Sequence, residues 1–248
     1  MVAAGAVRVR GDGAAQVRAG AERWERGRAR QRSWTRTRPY TRPTVDLPLP
    51  LADPALARAL AAALDVEGKI LRALEALGPI ADRDVLLLDA GTGRRAADLA
   101  GLGGRVRPLP GVDVHGEPLA SADVVIAFWT WLGLGRAAEG ATLTGLSRPL
   151  RPGGRLLLVE DYGRDDTTHL YADADREARL ADASDRRGAM LAAGFKVRVL
   201  HCWWTFADID AVAATLATLF PATGAAFSAG LRRPRISHKV AVYHRSVD

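Results

Sequence analysis

The chain has 248 residues, of which 48% are hydrophobic, and a formal net charge of +7. This length suffices for one large domain with a sizeable core, but no apolar run approaches the roughly 18 residues that span a bilayer, and the beginning lacks the apolar segment of a secretory signal. The single cysteine, Cys202, excludes an intramolecular disulfide and a cysteine-rich metal site. We therefore expect a cytoplasmic protein with no membrane partner.

The positive charge is confined to the first part of the chain. Residues 1–43 contain 11 arginines and three acidic residues, a net charge of +8, so the remainder carries −1. Few aliphatic residues and no helical or strand period predict a flexible Arg-rich tail over 1–45, ahead of an α/β domain over 46–248. Two tryptophans and a tyrosine lie among these arginines, so the segment could stack on bases and neutralise phosphates of a nucleic acid. A solvated extension is the simpler interpretation. Nucleic acid is therefore expected as a partner only through the tail.

Two helices are predicted at the start of the domain. Asp53 before Pro54 forms an N-cap with proline at the first helical position, and leucines at 56, 60 and 64 repeat at helical spacing. A second helix is predicted over 66–77 and ends at the Gly78-Pro79 pair.

From residue 84 onward short apolar runs alternate with helical patterns, which is typical of a parallel sheet with crossover helices. The predicted strands are 85–89, 105–109, 123–129, 155–160, 196–203 and 238–244, and the predicted helices are 94–101, 137–149, 183–193 and 208–219. Because the last two strands are separated by a helical insertion, we expect at least one of them to run antiparallel to the rest. The prediction is an α/β fold whose sheet is mostly parallel with a late antiparallel strand.

The stretch DAGTGRRAADLA carries the first chemical signal. A strand ends at Asp89, the chain turns on Gly91 and Gly93, and a helix follows. Glycines permit the tight turn and a close backbone approach, and the helix N-terminus favours negative charge. The stretch also fits the GxGxxA dinucleotide pattern, but it equally fits a bare strand-to-helix turn in any sheet of this type.

Two further stretches, SADVVIAFWTWLGLG and LSRPLRPGGRLLLVEDYGRDD, favour a cofactor-binding turn over a bare one. Together with the glycine turn they resemble the class I S-adenosylmethionine-dependent methyltransferases, in which an L-[RK]-P-G-G turn launches an apolar strand. AAGFKVRVLHCWW is similar to that family's entry into its late antiparallel pair. The resemblance covers about residues 50–248 and implies a three-layer Rossmann-like methyltransferase fold with seven strands, and S-adenosylmethionine across their carboxyl ends.

The resemblance also implies site residues. Asp89 would meet the amino group of the methionine moiety, and Gly91, Thr92 and Gly93 would let the backbone approach it. At the end of a later strand, Phe128 and Trp129 would flank the adenine or the acceptor, although tryptophans on a strand face are often core residues.

The sequence departs from the family beyond the glycine turn. Arg94 replaces the third glycine, and the acid that binds the ribose hydroxyls is absent from RVRPLPG, so that Asp113 is the nearest candidate. Only 34 residues separate Asp89 from Asp123, and one βα unit takes roughly 30. We therefore expect a helix and a strand to be lost there.

The leading function from sequence is methyl transfer from S-adenosylmethionine to a small-molecule acceptor. Positioning supplies much of such a reaction, with Asp161 as the candidate general base and Tyr162 shaping the acceptor pocket. The alternatives are a non-catalytic relative that retains the fold and an NAD(P)-dependent oxidoreductase. The five histidines show no metal-ligand spacing, and neither a nucleophile elbow nor a P-loop lysine is present.

Overall fold

The computed structural model of the chain describes residues 47–49, 51, 53–88, 93–111, 113–130, 143 and 145–248. All of them belong to one compact unit that spans residues 42–248. The predicted tail, the turn residues Asp89, Gly91 and Thr92, and most of the predicted helix 137–149 lie outside the described residues.

Two helices open the described domain. Helix α1 (Pro54–Ala63) begins as predicted, because the Asp53 side chain accepts hydrogen bonds from the backbone N–H groups of Ala55 and Leu56. Helix α2 (Lys69–Leu77) starts three residues later than predicted, since Gly68 adopts a left-handed conformation with φ of 66° immediately before it.

The described residues form one six-stranded sheet in the order β2-β1-β3-β4-β6-β5. Strands β1 to β4 run parallel, and β6 runs antiparallel to both β4 and β5. All six predicted strands are found, and the predicted fold class is confirmed. Their bounds are β1 Asp84–Leu88, β2 Arg105–Leu109, β3 Ala122–Phe128, β4 Leu150–Asp161, β5 Lys196–Thr205 and β6 Arg235–Ser246.

The described part of the sheet has six strands where the family resemblance implied seven. Strand β2 ends at Leu109 and β3 begins at Ala122, and the described residues between them include no strand. This agrees with the shortening inferred from the sequence. Among the strands that the structure describes, β2 is consequently at the edge of the sheet rather than in its interior.

Further described helices are α3 Arg94–Gly101, α4 Asp166–Tyr171, α5 Ala174–Ser184, α6 Ala189–Ala192, α7 Ile209–Leu219 and α8 Gly224–Ala229. The prediction of one helix over 183–193 is wrong, because the chain leaves the helical conformation at Asp185 and re-enters it only after Gly188. The sequence did not predict α4, α8 or the first nine residues of α5, 174–182.

The sheet separates two apolar cores. Alternate residues of β3 enter opposite cores: Phe128 packs with residues of α1, α2 and α7, whereas Ala127 packs with residues of α5 and α6. This is the three-layer arrangement predicted from the sequence. Among the described helices none is long and apolar enough to cross a membrane.

Candidate functional site

The carboxyl ends of β1, β3 and β4 meet at one edge of the sheet, which is where open α/β sheets bind ligands. Beyond β1 the chain reaches Gly93, the residue before α3, with φ of 80°. A side chain built at Gly93 would meet no atom of the described residues within 4 Å. The glycine is therefore required by the backbone conformation, and the space above it is open.

Arg95 lies behind this turn with only 3% of its surface exposed. Its guanidinium carbon is 5.0 Å from the centre of the Phe128 ring and 5.7 Å from that of Trp129, and the guanidinium pairs with Asp98 at 3.2 Å. Such packing of a cation on aromatic faces is favourable, more so when buried. A fixed positive charge thus lies beside the carboxyl ends of β1 and β3.

Phe128 and Trp129 are core residues in this structure, with 1% and 5% of their surfaces exposed. Trp129 has φ of 48°, a strained conformation for a non-glycine residue. It breaks the strand alternation, so that both rings join the same core. Their predicted contact with adenine or acceptor stays a prediction, and their burial does not favour it.

Asp161, at the end of β4, is the centre of a buried polar network. Its Oδ1 accepts hydrogen bonds from the indole N–H of Trp129 at 2.9 Å and from His238 at 2.7 Å. Its Oδ2 pairs with Arg176 of α5, whose guanidinium carbon lies 3.5 Å from the centre of the Tyr171 ring. Only 2% of the Asp161 surface is exposed, so these three side chains provide the hydrogen bonds that water would give to an exposed carboxylate.

Trp204 determines which ring nitrogen of His238 donates and which accepts a hydrogen bond. Trp204 donates its indole N–H to Nδ1 of His238 at 3.1 Å. Because an indole nitrogen can only donate, Nδ1 must be the acceptor, and the imidazole proton resides on Nε2, which donates to Asp161. His238 thus links Trp204 to Asp161, accepting a hydrogen bond at Nδ1 and donating one at Nε2.

This network sets the acidity of Asp161. Burial by itself raises the pKa of the Asp161 carboxyl, but His238, Arg176 and Trp129 together stabilise its charged form and bring the pKa below its ordinary value. An ionised, fully engaged carboxylate is a weak proton acceptor. The network therefore does not favour the general-base role predicted for Asp161.

Tyr162 lies on the other face of the sheet from Asp161, because successive residues of a strand point in opposite directions. It is half-buried and packs against the core that contains Ala127. The guanidinium carbon of Arg164 is 5.7 Å from its ring centre. Tyr162 lines a cavity of about 180 Å³ together with Thr168 of α4 and Leu180 of α5, which is smaller than the ~300 Å³ of a typical ligand pocket. The structure thus separates the two predicted catalytic residues.

The loop after β4 is fastened to β6. Asp165 caps α4 by accepting a hydrogen bond from the backbone N–H of Thr168, and its other oxygen accepts one from the backbone N–H of Lys239. Asp166 exchanges two hydrogen bonds with Ser237. The acidic residues of this loop therefore hold it in place beside His238.

Asp113 follows β2 by four residues and is exposed. Its Oδ1 accepts a hydrogen bond from the backbone N–H of His115 at 2.9 Å. Four residues on, Glu117 is engaged by Arg107. Asp113 therefore lies beyond the carboxyl end of its strand and keeps a carboxylate oxygen towards solvent.

A larger cavity, about 740 Å³, opens between α1 and the start of α3. Gly93 belongs to its lining, so it adjoins the turn after β1. The described residues that line it are Pro54, Ala57, Arg58, Ala61, Ala62, Gly93 and Arg94.

Sequence reasoning missed Arg95, Arg176, Trp204 and the role of His238. One signal for His238 was available: residues 236, 238, 240 and 242 alternate along β6, and the other three are Ile236, Val240 and Val242, which predicts an inward histidine. No local pattern identifies its partner, since Asp161 is 77 residues away in the chain.

No family model matches the chain, and no curated relative matches it. Solved structures are similar to it in fold. A SAM-dependent methyltransferase from Aquifex aeolicus is 13% identical, with 78% of this chain and 99% of that chain covered and a TM-score of 0.44. A structure concerned with the conversion of a disulfide bond into a thioacetal group during echinomycin biosynthesis is 18% identical. The match covers 84% of this chain and 85% of that chain, with a TM-score of 0.46. The [4+2]-cyclase SpnF is 15% identical, with 72% and 81% covered and a TM-score of 0.40. These likenesses concern fold, and fold does not fix a substrate.

Proposed function

We propose that this chain binds S-adenosylmethionine at the carboxyl edge of the sheet and uses it to methylate a small-molecule acceptor. The observation that carries the proposal is Gly93, a left-handed glycine after β1 with no atom of the described residues within 4 Å of the place its side chain would occupy. A turn of this kind lets a ligand approach the backbone closely. When bound, the sulfonium of the cofactor supplies an already activated methyl group.

The chain's own residues would hold the cofactor and orient it toward the acceptor. Asp89 would pair with the ammonium of the methionine moiety, Gly91 and Thr92 would present backbone beside Gly93, and Asp113 would accept hydrogen bonds from the ribose hydroxyls. Because Asp161 is engaged by three partners, it would hold Trp129 and Arg176 in place rather than act on the acceptor. Acceleration then comes mainly from alignment of the two reactants.

A non-catalytic relative is the second candidate, favoured by the short connection between β2 and β3 and by the buried Arg95. The third candidate is an NAD(P)-dependent oxidoreductase. Calorimetric titration of the full chain with S-adenosylhomocysteine and, separately, with NAD⁺ and NADP⁺ distinguishes the three candidates. We expect S-adenosylhomocysteine alone to bind. Binding of a nicotinamide cofactor alone would establish an oxidoreductase, and no binding by any of them would favour the non-catalytic relative.

Gly93→Ala is expected to weaken S-adenosylhomocysteine binding about 10-fold, a loss of about 1.4 kcal/mol, because the added methyl group strains the turn and occupies the open space. Gly153→Ala is the matched control. Gly153 also has a left-handed backbone, with φ of 76°, and no atom of the described residues lies within 4 Å of a side chain built there. It lies near the amino end of β4, at the opposite end of the parallel strands from the candidate site. Both variants should lose similar stability, about 1 kcal/mol, in denaturant titrations. Equal affinity of the two variants would remove Gly93 from the site.

Asp113→Asn tests the ribose contact. The amide retains an oxygen for the backbone N–H of His115 and removes the charge, so a charge-assisted hydrogen bond worth roughly 1.5–3 kcal/mol is weakened and binding should fall about 10-fold or more by calorimetry. Asp185→Asn is the control, because the exposed Asp185 accepts the same local bond, from the backbone N–H of Arg187 at 2.7 Å, in the connection between α5 and α6. An Asp113→Asn protein that binds like its parent would contradict the proposed ribose contact.

A further inference from the structure

We infer that the cavity between α1 and α3 takes the methyl acceptor, and that this acceptor has an apolar body and an anionic group paired with Arg58. The inference rests on the proposed function and adds the acceptor's chemical class. Small-ligand pockets typically enclose about 300–1,000 Å³. The cavity, at about 740 Å³, has that size.

The wall formed by α1 selects an apolar body. Pro54, Ala57 and Ala61 lie on one side of the helix, at spacings of three and four residues, and Ala62 adjoins them. Their side chains have no polar atoms. Gly93 continues this wall at the start of α3. A ligand here loses water from its apolar surface without leaving a polar wall group unpaired.

The two remaining lining residues are arginines, and the described lining has no carboxylate. Arg94 joins the two walls: it donates a hydrogen bond to the carbonyl of Ala61 in α1, and its Nε lies 3.8 Å from Asp98. Arg94 therefore fixes the helices relative to each other and adds positive charge to the cavity.

Arg58 is the group that would recognise the anion. It is exposed at the cavity, and it has no hydrogen-bond or ion-pair partner among the described residues. Its helix neighbours three and four positions away are Pro54, Ala55, Ala61 and Ala62, so α1 offers it no acid. A guanidinium beside an apolar wall pairs well with a carboxylate, which it binds through two parallel N–H groups.

The position of the cavity fits an acceptor. Gly93 lines it and also belongs to the turn proposed to hold the methionine moiety. Methyl transfer requires the reacting atoms to come within about 3–3.5 Å. A molecule held by Arg58 and the α1 wall would lie next to the donor.

The test compares 3-phenylpropionate with its neutral counterpart 3-phenylpropanamide by ligand-observed NMR, with and without saturating S-adenosylhomocysteine. We expect the acid to bind about fivefold more tightly in both conditions. Arg58→Ala should abolish this preference, Arg58→Lys should retain part of it, and Arg186→Ala, which changes an exposed arginine far from the cavity, should leave it intact.

A second pair of variants locates the binding. Ala62→Trp should fill the cavity and prevent both compounds from binding, whereas Ala59→Trp places the same side chain at an exposed position of α1 outside the lining and should change nothing. Equal binding of acid and amide, a preference that survives Arg58→Ala, or displacement of S-adenosylhomocysteine by the acid would each overturn the inference while the proposed function stands. Failure of S-adenosylhomocysteine itself to bind would overturn both.

Discussion

Asp161→Ala should lower the free energy of unfolding by about 3–5 kcal/mol, because it leaves the buried guanidinium of Arg176 without its counter-charge. His238 and Trp129 would lose an acceptor at the same time. For a domain of this size the expected fall in melting temperature is about 2–4 °C per kcal/mol. Denaturant titrations of the parent and variant measure the loss. Asp185→Asn, at an exposed position where the amide oxygen can still accept from the backbone N–H of Arg187, should stay within about 0.5 kcal/mol of the parent.

A double-mutant cycle separates the charge pair from its surroundings. Asp161→Asn keeps an oxygen for Trp129 and His238 but removes the charge, and Arg176→Met removes the cation while filling much of its volume. Each single change leaves one buried charge unpaired, so the double variant should be more stable than the sum of the two losses predicts, by about 0.5–3 kcal/mol. Additive losses would mean that Asp161 and Arg176 do not interact appreciably.

The same pair should make stability depend on pH in the acid range. The pKa of Asp161 is lowered in the folded protein despite burial, because His238, Arg176 and Trp129 favour the carboxylate. A lowered folded-state pKa gives stability that is present above the unfolded-state pKa, about 3.9, and is lost as pH falls through the folded-state pKa. The stability difference between the parent and Asp161→Asn should therefore be constant near neutrality and shrink below about pH 4.

Among the described residues, Arg176 from α5 is the charged partner of Asp161, and His238 from β6 donates a hydrogen bond to it. Other carboxyls with lowered pKa values, such as Asp84, are present in both proteins and cancel in the difference. Denaturant midpoints at several pH values between 3 and 7 provide the measurement. A difference that persists unchanged down to pH 3, where both proteins still fold, would contradict the role given to Asp161.

The fold was predictable because its signals are local. Asp53 and Pro54 mark the start of α1, and the apolar runs of β1, β3 and β4 are separated by turn residues. The spacing between Asp89 and Asp123 even indicated the shortened connection. The break between α5 and α6 was missed because the residues around Asp185 have no strong helix-breaking pattern apart from Gly188.

The candidate site was less predictable because its geometry depends on residues distant in sequence. Asp161 was singled out for its place after an apolar strand, but its chemistry is set by Arg176, His238 and Trp129, which approach it from three different elements. Tyr162 is its neighbour in sequence and lies on the other face of the sheet. A list of polar residues near a strand end gives no means of distinguishing a buried ion pair from an exposed base.

The shortened connection has a consequence for self-association. It leaves β2 at the border of the sheet, where unpaired N–H and C=O groups invite a second copy to add a strand. Arg105 and Arg107 project charge from β2 and are held by Asp84 and Glu117, and Pro108 lacks an N–H group. Strand-to-strand aggregation is thus disfavoured at the border that the missing strand would otherwise have covered.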